Sequence, residues 1–305
     1  MNMHVSIGGL ELKNPVLTAS GTFGFGLEFA PYGDLEKLGG FVAKGISLKP
    51  REGNPMPRIA ETPCGMLNAI GIQNPGVEAF ITQALPALKG KDVAVIANLY
   101  ACDAVEFGKL ASVLAAEEGV AALEVNVSCP NVKEGGVAFG QDPAQITKVT
   151  ESVKRNAGGK HVMVKLSPNV TDIAVCARAA EAGGADSLSL INTLSGMAVD
   201  VRTRKPRIAN VVAGLSGPAI KPVALRCVHQ AVRAVDIPVV GIGGISSAED
   251  ALEFILVGAH AVQVGTANFL RPDFSFGLAE AMEKLLIEIG AESLEGFRGS
   301  LELPL

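Results

Sequence analysis

Two lysines and three asparagines stand where apolar runs of this sequence give way to turns, together with one serine. They are Ser20, Lys44, Asn98, Asn126, Lys165 and Asn192. A lysine within an apolar run is costly to bury unless it meets an anion or a ligand; the alternative is that both lysines extend to solvent or pair with an acid. Asparagine amides match the donors and acceptors of a polar ring, and lysine neutralises its charge. The set predicts a site for a flat, polar, anionic heterocycle.

Three glycine-rich turns indicate a phosphate site. GIGGI (241–245) and QVGTANF (263–269) each end an apolar run, and Gly217 in GLSGP precedes a helical pattern. Exposed backbone N–H groups beside a helix N-terminus bind phosphate readily. Each turn alone could be no more than a tight bend, but the three together favour a mononucleotide-like cofactor, flavin mononucleotide (FMN) above all.

One of the five cysteines has a setting that suggests chemistry. Cys129, in NVSCPN, directly follows an apolar run and opens a glycine-rich segment close to Asn126. A free thiol titrates near pH ~8.5, and neighbouring lysines lower that value, so Cys129 is a candidate base or nucleophile. Cys64 lies in a predicted loop and is the alternative to test beside it. Buried packing is the usual role of a lone cysteine, and it is the interpretation for Cys64, Cys102, Cys176 and Cys227.

Eight short runs rich in Val, Ile, Leu and Ala must position these residues. The runs are 15–21, 41–47, 93–100, 122–128, 162–167, 187–193, 237–244 and 261–266. Continuous apolar runs without strict alternation indicate strands covered on both faces, as in a parallel sheet. Apolar residues at three- and four-residue spacing predict helices at 106–119, 143–158, 172–183, 218–235 and 247–258. We therefore expect an α/β protein, a (β/α)8 TIM barrel, with an open doubly wound sheet as the alternative.

The 305 residues exceed a minimal barrel of about 250 residues, and the excess lies in three segments. They are 48–92, 129–143 and 194–218. Each segment follows a strand, so we expect all three to be loop insertions at the C-terminal face, where barrels build active sites. Residues 1–305 are expected to form a single domain, because no repeat, low-complexity tract or linker divides them.

Composition excludes several classes of protein. Hydrophobic residues make up 48% of the chain and charged residues 19%, which is too apolar for a disordered protein. The net charge of −5 and the lack of tryptophan argue against binding to nucleic acid or to an anionic membrane. We find no signal-peptide pattern and no apolar stretch of membrane-spanning length, so a cytoplasmic location is expected. The cysteines are odd in number and form no CxxC, so neither disulfides, a metal site nor an iron–sulfur cluster is expected in this chain.

Nine segments of the chain resemble class 1 dihydroorotate dehydrogenases, and they occur in the order of the strands. The segments are ASGTFGFG (19–26), AKGIS (43–47), NAIGIQNPG (68–76), NVSCPN (126–131), VKLSPN (164–169), INTLSGM (191–197), GLSGPAIKP (214–222), GIGGI (241–245) and QVGT (263–266). NVSCPN, with cysteine at its fourth position, resembles class 1, because class 2 enzymes have serine at that position. MLNAIGIQNPG and CPNVKEGGVAFGQ look most like class 1B, the catalytic subunit of the NAD-dependent enzyme. Class 1A, a homodimer that uses fumarate, is the near alternative.

The resemblance implies roles for the matching residues. FMN would be lined by Ser20, Lys44, Gly45, Asn98, Asn126, Lys165, Ile191, Gly217, Gly243, Gly244, Gly265 and Thr266. The pyrimidine would be held by Lys44, Asn68, Ala69, Ile70, Gly71, Ile72, Asn126, Asn192 and Thr193. Cys129 would be the catalytic base, and Lys165 would stabilise negative charge on the reduced flavin. The loop 129–143, with Gly135 and Gly136 as hinges, would close over the substrate.

The implied reaction is oxidation of (S)-dihydroorotate to orotate in de novo UMP synthesis. Cys129 would take a proton from C5 and FMN the hydride from C6. The electrons must then leave the flavin, yet this chain lacks a dinucleotide fingerprint, because GIGGIS does not have the required spacing. The resemblance implies a partner subunit that carries FAD and a [2Fe–2S] cluster and passes the electrons to NAD. Two catalytic and two electron-transfer chains would form a heterotetramer.

Two hypotheses from other classes remain at this point. A Schiff-base aldolase with Lys165 as the amine nucleophile would explain the lysines and the glycine-rich turns, but not the asparagines or Cys129. A non-catalytic barrel that binds a nucleotide or scaffolds a partner is the other. This sequence departs from the family's usual pattern in two segments, NVVAGLSG (210–217) and ANLYACDA (97–104). Neither departure changes a residue named above for the site.

Overall fold

The computed structural model describes residues 1–127 and 139–304, and its centre is a closed barrel of eight parallel strands. The strands are β1 (Val16–Thr18), β2 (Gly40–Val42), β3 (Ala94–Leu99), β4 (Ala122–Asn126), β5 (His161–Leu166), β6 (Ser187–Leu190), β7 (Val239–Ile242) and β8 (Ala261–Val264). Each strand pairs with the next one along the chain, and β8 pairs with β1. All eight apolar runs are barrel strands, which confirms the (β/α)8 fold and excludes the open doubly wound sheet.

Burial on both faces explains why these strands read as continuous apolar runs. Every residue of β5 is buried, although the strand contains His161 and Lys165. The outward side chains of the barrel pack under helices, and the inward ones fill its interior. A polar residue on such a strand therefore points either into the packed interior or to the end of the barrel.

Helices on the outside of the barrel match the predicted ones within a few residues. The α-helices are α1 (Val77–Ala79), α2 (Leu85–Leu88), α3 (Ala104–Ala115), α4 (Pro143–Asn156), α5 (Ile173–Ala182), α6 (Lys221–Val232), α7 (Ala248–Leu256), α8 (Ala267–Leu270), α9 (Phe274–Glu288) and α10 (Leu294–Phe297). Side chains of Asp103, Asp142, Asp172 and Ser247 accept backbone N–H groups at the start of α3, α4, α5 and α7. These caps satisfy donors that a helix leaves unpaired, so they fix where each helix begins. The prediction did not include α9.

Shorter turns of helix complete the connections. A π-helical turn, Phe80–Ala84, joins α1 to α2. The 3₁₀ turns are Leu27–Tyr32, Leu35–Lys37, Phe139–Gln141 and Pro218–Ile220. The last of these leads directly into α6, so that Gly217 stands at the entrance to a longer helical segment.

Two of the predicted insertions combine into one antiparallel sheet. Ile59–Thr62 and Gly65–Asn68 come from the first insertion, and Leu194–Met197 and Val212–Ser216 come from the third. Gly65–Asn68 pairs with Val212–Ser216 and thereby joins segments almost 150 residues apart. A small apolar cluster of Leu67, Ala69, Ile208 and Ala213 packs within this sheet region. A two-residue pair, Val199–Asp200 with Lys205–Pro206, extends the third insertion.

A hairpin at the N-terminus contacts the opposite end of the barrel. Its strands are Val5–Ile7 and Leu10–Leu12. The turn residue Gly8 has a φ of 61°, and a methyl group on it would lie 2.3 Å from the carbonyl oxygen of Asp186. Glycine is therefore required here by both conformation and space. Within the described ranges, every helix is too short or too polar to cross a bilayer.

Acid pH is expected to weaken the fold through His260, which directly precedes β8. Burial lowers the pKa of His260 to about 4, and Arg298 adds to the effect. The unfolded state then binds more protons between pH 6.5 and 4, so stability falls as the pH drops through that range. For a fully buried ring, this difference in pKa between the folded and the unfolded state would correspond to about 3 kcal/mol of unfolding free energy. We expect about 2 kcal/mol, because the ring of His260 is half-buried and partly screened by solvent.

Chemical denaturation at pH 7 and pH 4.5 tests this expectation. The loss of unfolding free energy on acidification should be about 2 kcal/mol smaller in His260→Asn than in the wild type. His4→Asn is the matched control, because the side chain of His4 is 49% exposed and lacks the burial that acts on His260, so its replacement should change the loss much less. Parallel curves for wild type and His260→Asn would contradict the assignment.

Candidate functional site

A cavity of about 840 Å³ opens at the carboxyl ends of the barrel strands, beneath the antiparallel sheet of the insertions. Within the described ranges, every site residue predicted from the sequence lines this cavity. These are Ser20, Lys44, Gly45, Asn68, Ala69, Ile70, Gly71, Ile72, Asn98, Asn126, Lys165, Ile191, Asn192, Thr193, Gly217, Gly243, Gly244, Gly265 and Thr266. The volume lies within the range of small-molecule and cofactor pockets. Cys129 and the proposed hinges Gly135 and Gly136 lie outside the described residues.

The strand register determines which polar side chains lie next to each other at the cavity. Asn126 is directly opposite Lys165 in the β4–β5 register, and Asn98 is opposite Glu124 in the β3–β4 register. Side chains alternate between the two faces of a strand, so Glu124 and Asn126 share the inward face of β4. Glu124 therefore lies one layer deeper than Asn126.

Glu124 is the most prominent site residue that the sequence analysis missed. Its side chain is fully buried, and its carboxylate accepts hydrogen bonds from Asn98 Nδ2 at 2.6 Å, Ser189 Oγ at 2.8 Å and Gln263 Nε2 at 2.8 Å. The Lys165 ammonium lies 4.0 Å from Glu124 Oε2. From the sequence, a ligand-binding role for Lys165 and pairing with an acid are alternatives. The structure shows that Lys165 pairs with an acid and also lines the cavity.

Lys44 occupies a different part of the cavity wall, directly after β2. Burial lowers the pKa of Lys44, and Arg58 lowers it further, while Glu28 opposes the change. Arg58, a second residue absent from the prediction, lines the cavity and donates to Gln73 Oε1 at 2.9 Å. Two cations on one wall suit an anionic ligand.

The three glycine-rich turns converge as predicted. Gly217 and Gly244 have positive φ, and a methyl group on Gly244 would lie 2.9 Å from Lys221 N and 3.0 Å from Gly217 O. The third turn joins them through Thr266 Oγ1, which is 2.8 Å from Ser216 Oγ. The turns that follow β7 and β8 thus meet the segment that enters α6. This is the arrangement in which barrels bind phosphate.

The pyrimidine-binding positions surround the cavity on its other side. Gly65–Asn68 carries Asn68 to the wall, and residues 69–72 continue along it. After β6, the Asn192 side chain accepts from the backbone N–H of Thr193 at 2.8 Å. Asn169, which the prediction left without a role, donates to the Thr193 carbonyl oxygen at 3.0 Å and accepts from Ser195 N at 2.9 Å. Asn169 therefore holds the turn that presents Asn192.

The described cysteines do not line this cavity. Cys176 and Cys227 are buried as predicted, and burial raises the pKa of both thiols. The buried interpretation is wrong for Cys64, which is exposed because it sits in the turn between Ile59–Thr62 and Gly65–Asn68. Cys102 is half-buried, and burial together with Glu106 raises the pKa of its thiol. Thiols of raised pKa are poor nucleophiles near neutral pH.

Comparison with known proteins agrees with the sequence resemblance. The family profile of dihydroorotate dehydrogenase matches residues 2–286. A protein of Maridesulfovibrio salexigens named dihydroorotate dehydrogenase B (NAD(+)), catalytic subunit, is 73% identical over 304 residues, with 100% of both chains covered. Proteins of the same name from Solidesulfovibrio magneticus and Pelobacter propionicus are 68% and 58% identical, with 98% and 99% of each chain covered. The chain therefore belongs to the dihydroorotate dehydrogenase family, as an oxidoreductase of its class 1B branch.

Proposed function

We propose that this chain is the FMN-containing catalytic subunit of an NAD-dependent dihydroorotate dehydrogenase, and that it oxidises (S)-dihydroorotate to orotate in UMP synthesis. The observation that carries the proposal is that one cavity is lined by Lys165 of β5 and by Lys44, which follows β2, together with the asparagine set and three glycine-rich turns. The class of reaction follows from the family to which the chain belongs.

The cavity fits a flavin mononucleotide on two independent features. Asn98 Oδ1 is buried and has no hydrogen-bond partner among the described residues, so it can accept from a ring N–H. The turns at Gly217, Gly244 and Thr266 lie against one another, which is the arrangement of glycine-rich backbone that cradles a phosphate. When bound, FMN supplies the acceptor for the hydride that leaves C6 of dihydroorotate.

The substrate would be held by residues on the facing walls. Lys44 would pair with the substrate carboxylate, and Asn68, Asn126 and Asn192 would fix the orientation of the ring. Cys129 would take the proton from C5. It follows Asn126, a residue of the cavity wall, by three residues in the sequence. Lys165 would offset negative charge that develops on the cofactor side.

Electrons would leave through a partner subunit. The relatives are named catalytic subunits of an NAD(+) enzyme, which supports a second kind of chain in the assembly. We propose that this partner carries FAD and a [2Fe–2S] cluster, and that two copies of each chain form a heterotetramer. The class 1A arrangement, a homodimer that reduces fumarate, would need no such partner.

Anaerobic mixing of the purified chain with dihydroorotate tests the proposed function. We expect a yellow protein whose flavin absorbance bleaches on addition of dihydroorotate without any partner, because the first half of the reaction needs only this chain. NAD should then restore the oxidised spectrum only when the electron-transfer subunit is added. A colourless protein, or borohydride trapping of a carbonyl substrate on Lys165, would contradict the proposal and favour the aldolase.

A further inference from the structure

The interior of the barrel contains a buried acid for which the proposed chemistry has no use. Glu124 is fully buried on β4 and binds side chains from β3, β6 and β8 while it faces Lys165 of β5. A charged group without a role is expensive in a barrel interior, which is normally filled by branched apolar side chains.

Three groups among the described residues hydrogen-bond to Glu124, and each of them can act as a donor to it. They are the amides of Asn98 and Gln263 and the hydroxyl of Ser189. A carboxylate only accepts hydrogen bonds, so Asn98 must turn its NH₂ group toward Glu124. Its Oδ1 is then left on the side of Gly45, a residue of the cavity wall, where a methyl group on Gly45 would be 3.3 Å away. The buried charge thus determines that Asn98 offers an acceptor.

The same carboxylate sets the charge at the base of the cavity. Lys165 is only 5% exposed, and a buried ammonium needs an opposite charge nearby. Glu124 Oε2, 4.0 Å from Lys165 Nζ, supplies that charge. Because the pair is held by strands on both sides, the ammonium remains at the cavity and its field there is partly offset by the acid.

We propose that Glu124 is a positioning residue of this site: its carboxylate orients the Asn98 amide as an acceptor and holds the Lys165 ammonium, so that together they set the reduction potential of the bound flavin. The proposal rests on the proposed function, since it concerns FMN in this cavity. It assigns Glu124 no contact with substrate or cofactor.

The test is the reduction potential of FMN bound to Glu124→Gln holoenzyme, measured by equilibration with a reference dye. Loss of the buried negative charge stabilises reduced, more negative flavin. The ratio of reduced to oxidised FMN at a fixed potential should therefore rise at least fivefold over the wild type. A smaller rise, or a fall, overturns the proposal. A merely structural role would lower thermal stability without moving this ratio.

Two further variants keep the result interpretable. Ser189→Ala removes one hydrogen bond to Glu124 but leaves its charge, so it should change the ratio less than twofold; a rise equal to that of Glu124→Gln would overturn the proposal. If Glu124→Gln does not fold, the exchange variant Glu124→Gln/Gln263→Glu keeps a buried carboxylate in the same network, now on β8, so its ratio should stay within twofold of the wild type; a fivefold rise would show that the ratio does not follow the buried charge and would overturn the proposal. Wild-type protein without bound flavin would instead refute the proposed function and would be recognised before any variant is compared.

Discussion

Replacing Cys129 by serine is expected to slow the reduction of bound flavin by dihydroorotate at pH 7 by roughly 10²- to 10⁴-fold. A serine hydroxyl is a much weaker acid than a thiol, so it supplies almost no anion to take the C5 proton near neutral pH. Substrate affinity should change little, because Lys44 and the asparagines proposed to hold the ring are untouched. Anaerobic stopped-flow measurement of flavin bleaching gives the rate directly.

The pH profile of Cys129→Ser distinguishes loss of a base from general damage to the site. The rate of the variant should keep rising with pH where that of the wild type has levelled, because more of the hydroxyl ionises as the pH increases. Orotate binding, followed by the change in the flavin spectrum, should stay within about threefold of the wild type on the same reasoning about ground-state contacts.

Cys64→Ser is the matched control for this substitution. Cys64 is exposed in a hairpin turn and does not line the cavity, so its replacement should leave the bleaching rate unchanged. Turnover by Cys129→Ser at the wild-type rate would remove Cys129 from the mechanism. If both variants lost the same fraction of the bleaching rate, the loss in Cys129→Ser could not be attributed to a missing base.

The barrel could be predicted because its strands are buried on both faces. A strand such as β5, buried along its whole length, leaves a long apolar run in the sequence, and the lysine within that run is conspicuous. The antiparallel strands of the insertions leave no such signal. Ile59–Thr62 has only four residues, all exposed or half-buried, and its sheet is completed by a segment almost 150 residues away in the sequence. Unlike these strands, helix α9 could have been predicted, because its buried residues recur at three- and four-residue spacing in the sequence.

The candidate site could be predicted as a list of positions but not as a network. Asn98, Asn126 and Lys165 end apolar runs, so their position on one rim follows from the fold. Glu124 is one acid inside an apolar run, and nothing near it in the sequence marks its partners. Gln263, which donates to it, lies 139 residues away. Only the closed barrel brings their inward faces together, so the role of such an acid depends on tertiary structure.

Replacing Lys165 by methionine should lower both the rate of flavin reduction and the stability of the fold. The rate should fall on the order of 10²-fold or more, because a fixed cation at developing negative charge is lost. The free energy of unfolding should fall by about 3 kcal/mol, because removing one partner leaves a buried charge unpaired. The three hydrogen bonds that Glu124 keeps hold the loss at the lower end of that range.

A second lysine of the same cavity is the control. Lys44 is half-buried and makes no contact with Glu124, so Lys44→Met should weaken substrate binding with much less loss of stability. The two substitutions remove the same charge from the same cavity. A difference between them in unfolding free energy therefore reports the buried partner of Lys165.

The double variant Lys165→Met/Glu124→Gln separates the two effects of Lys165. With the acid neutralised as well, no buried charge is left unpaired, so we expect most of the unfolding free energy to return while the rate of flavin reduction stays low. Equilibrium urea unfolding and anaerobic bleaching on the same preparations measure both quantities. If the double variant were as unstable as Lys165→Met, the 4.0 Å pair would not be the source of the stability. If Lys165→Met reduced its flavin at the wild-type rate, the ammonium would have no part in the reaction, and its place in the cavity would be explained by Glu124 alone.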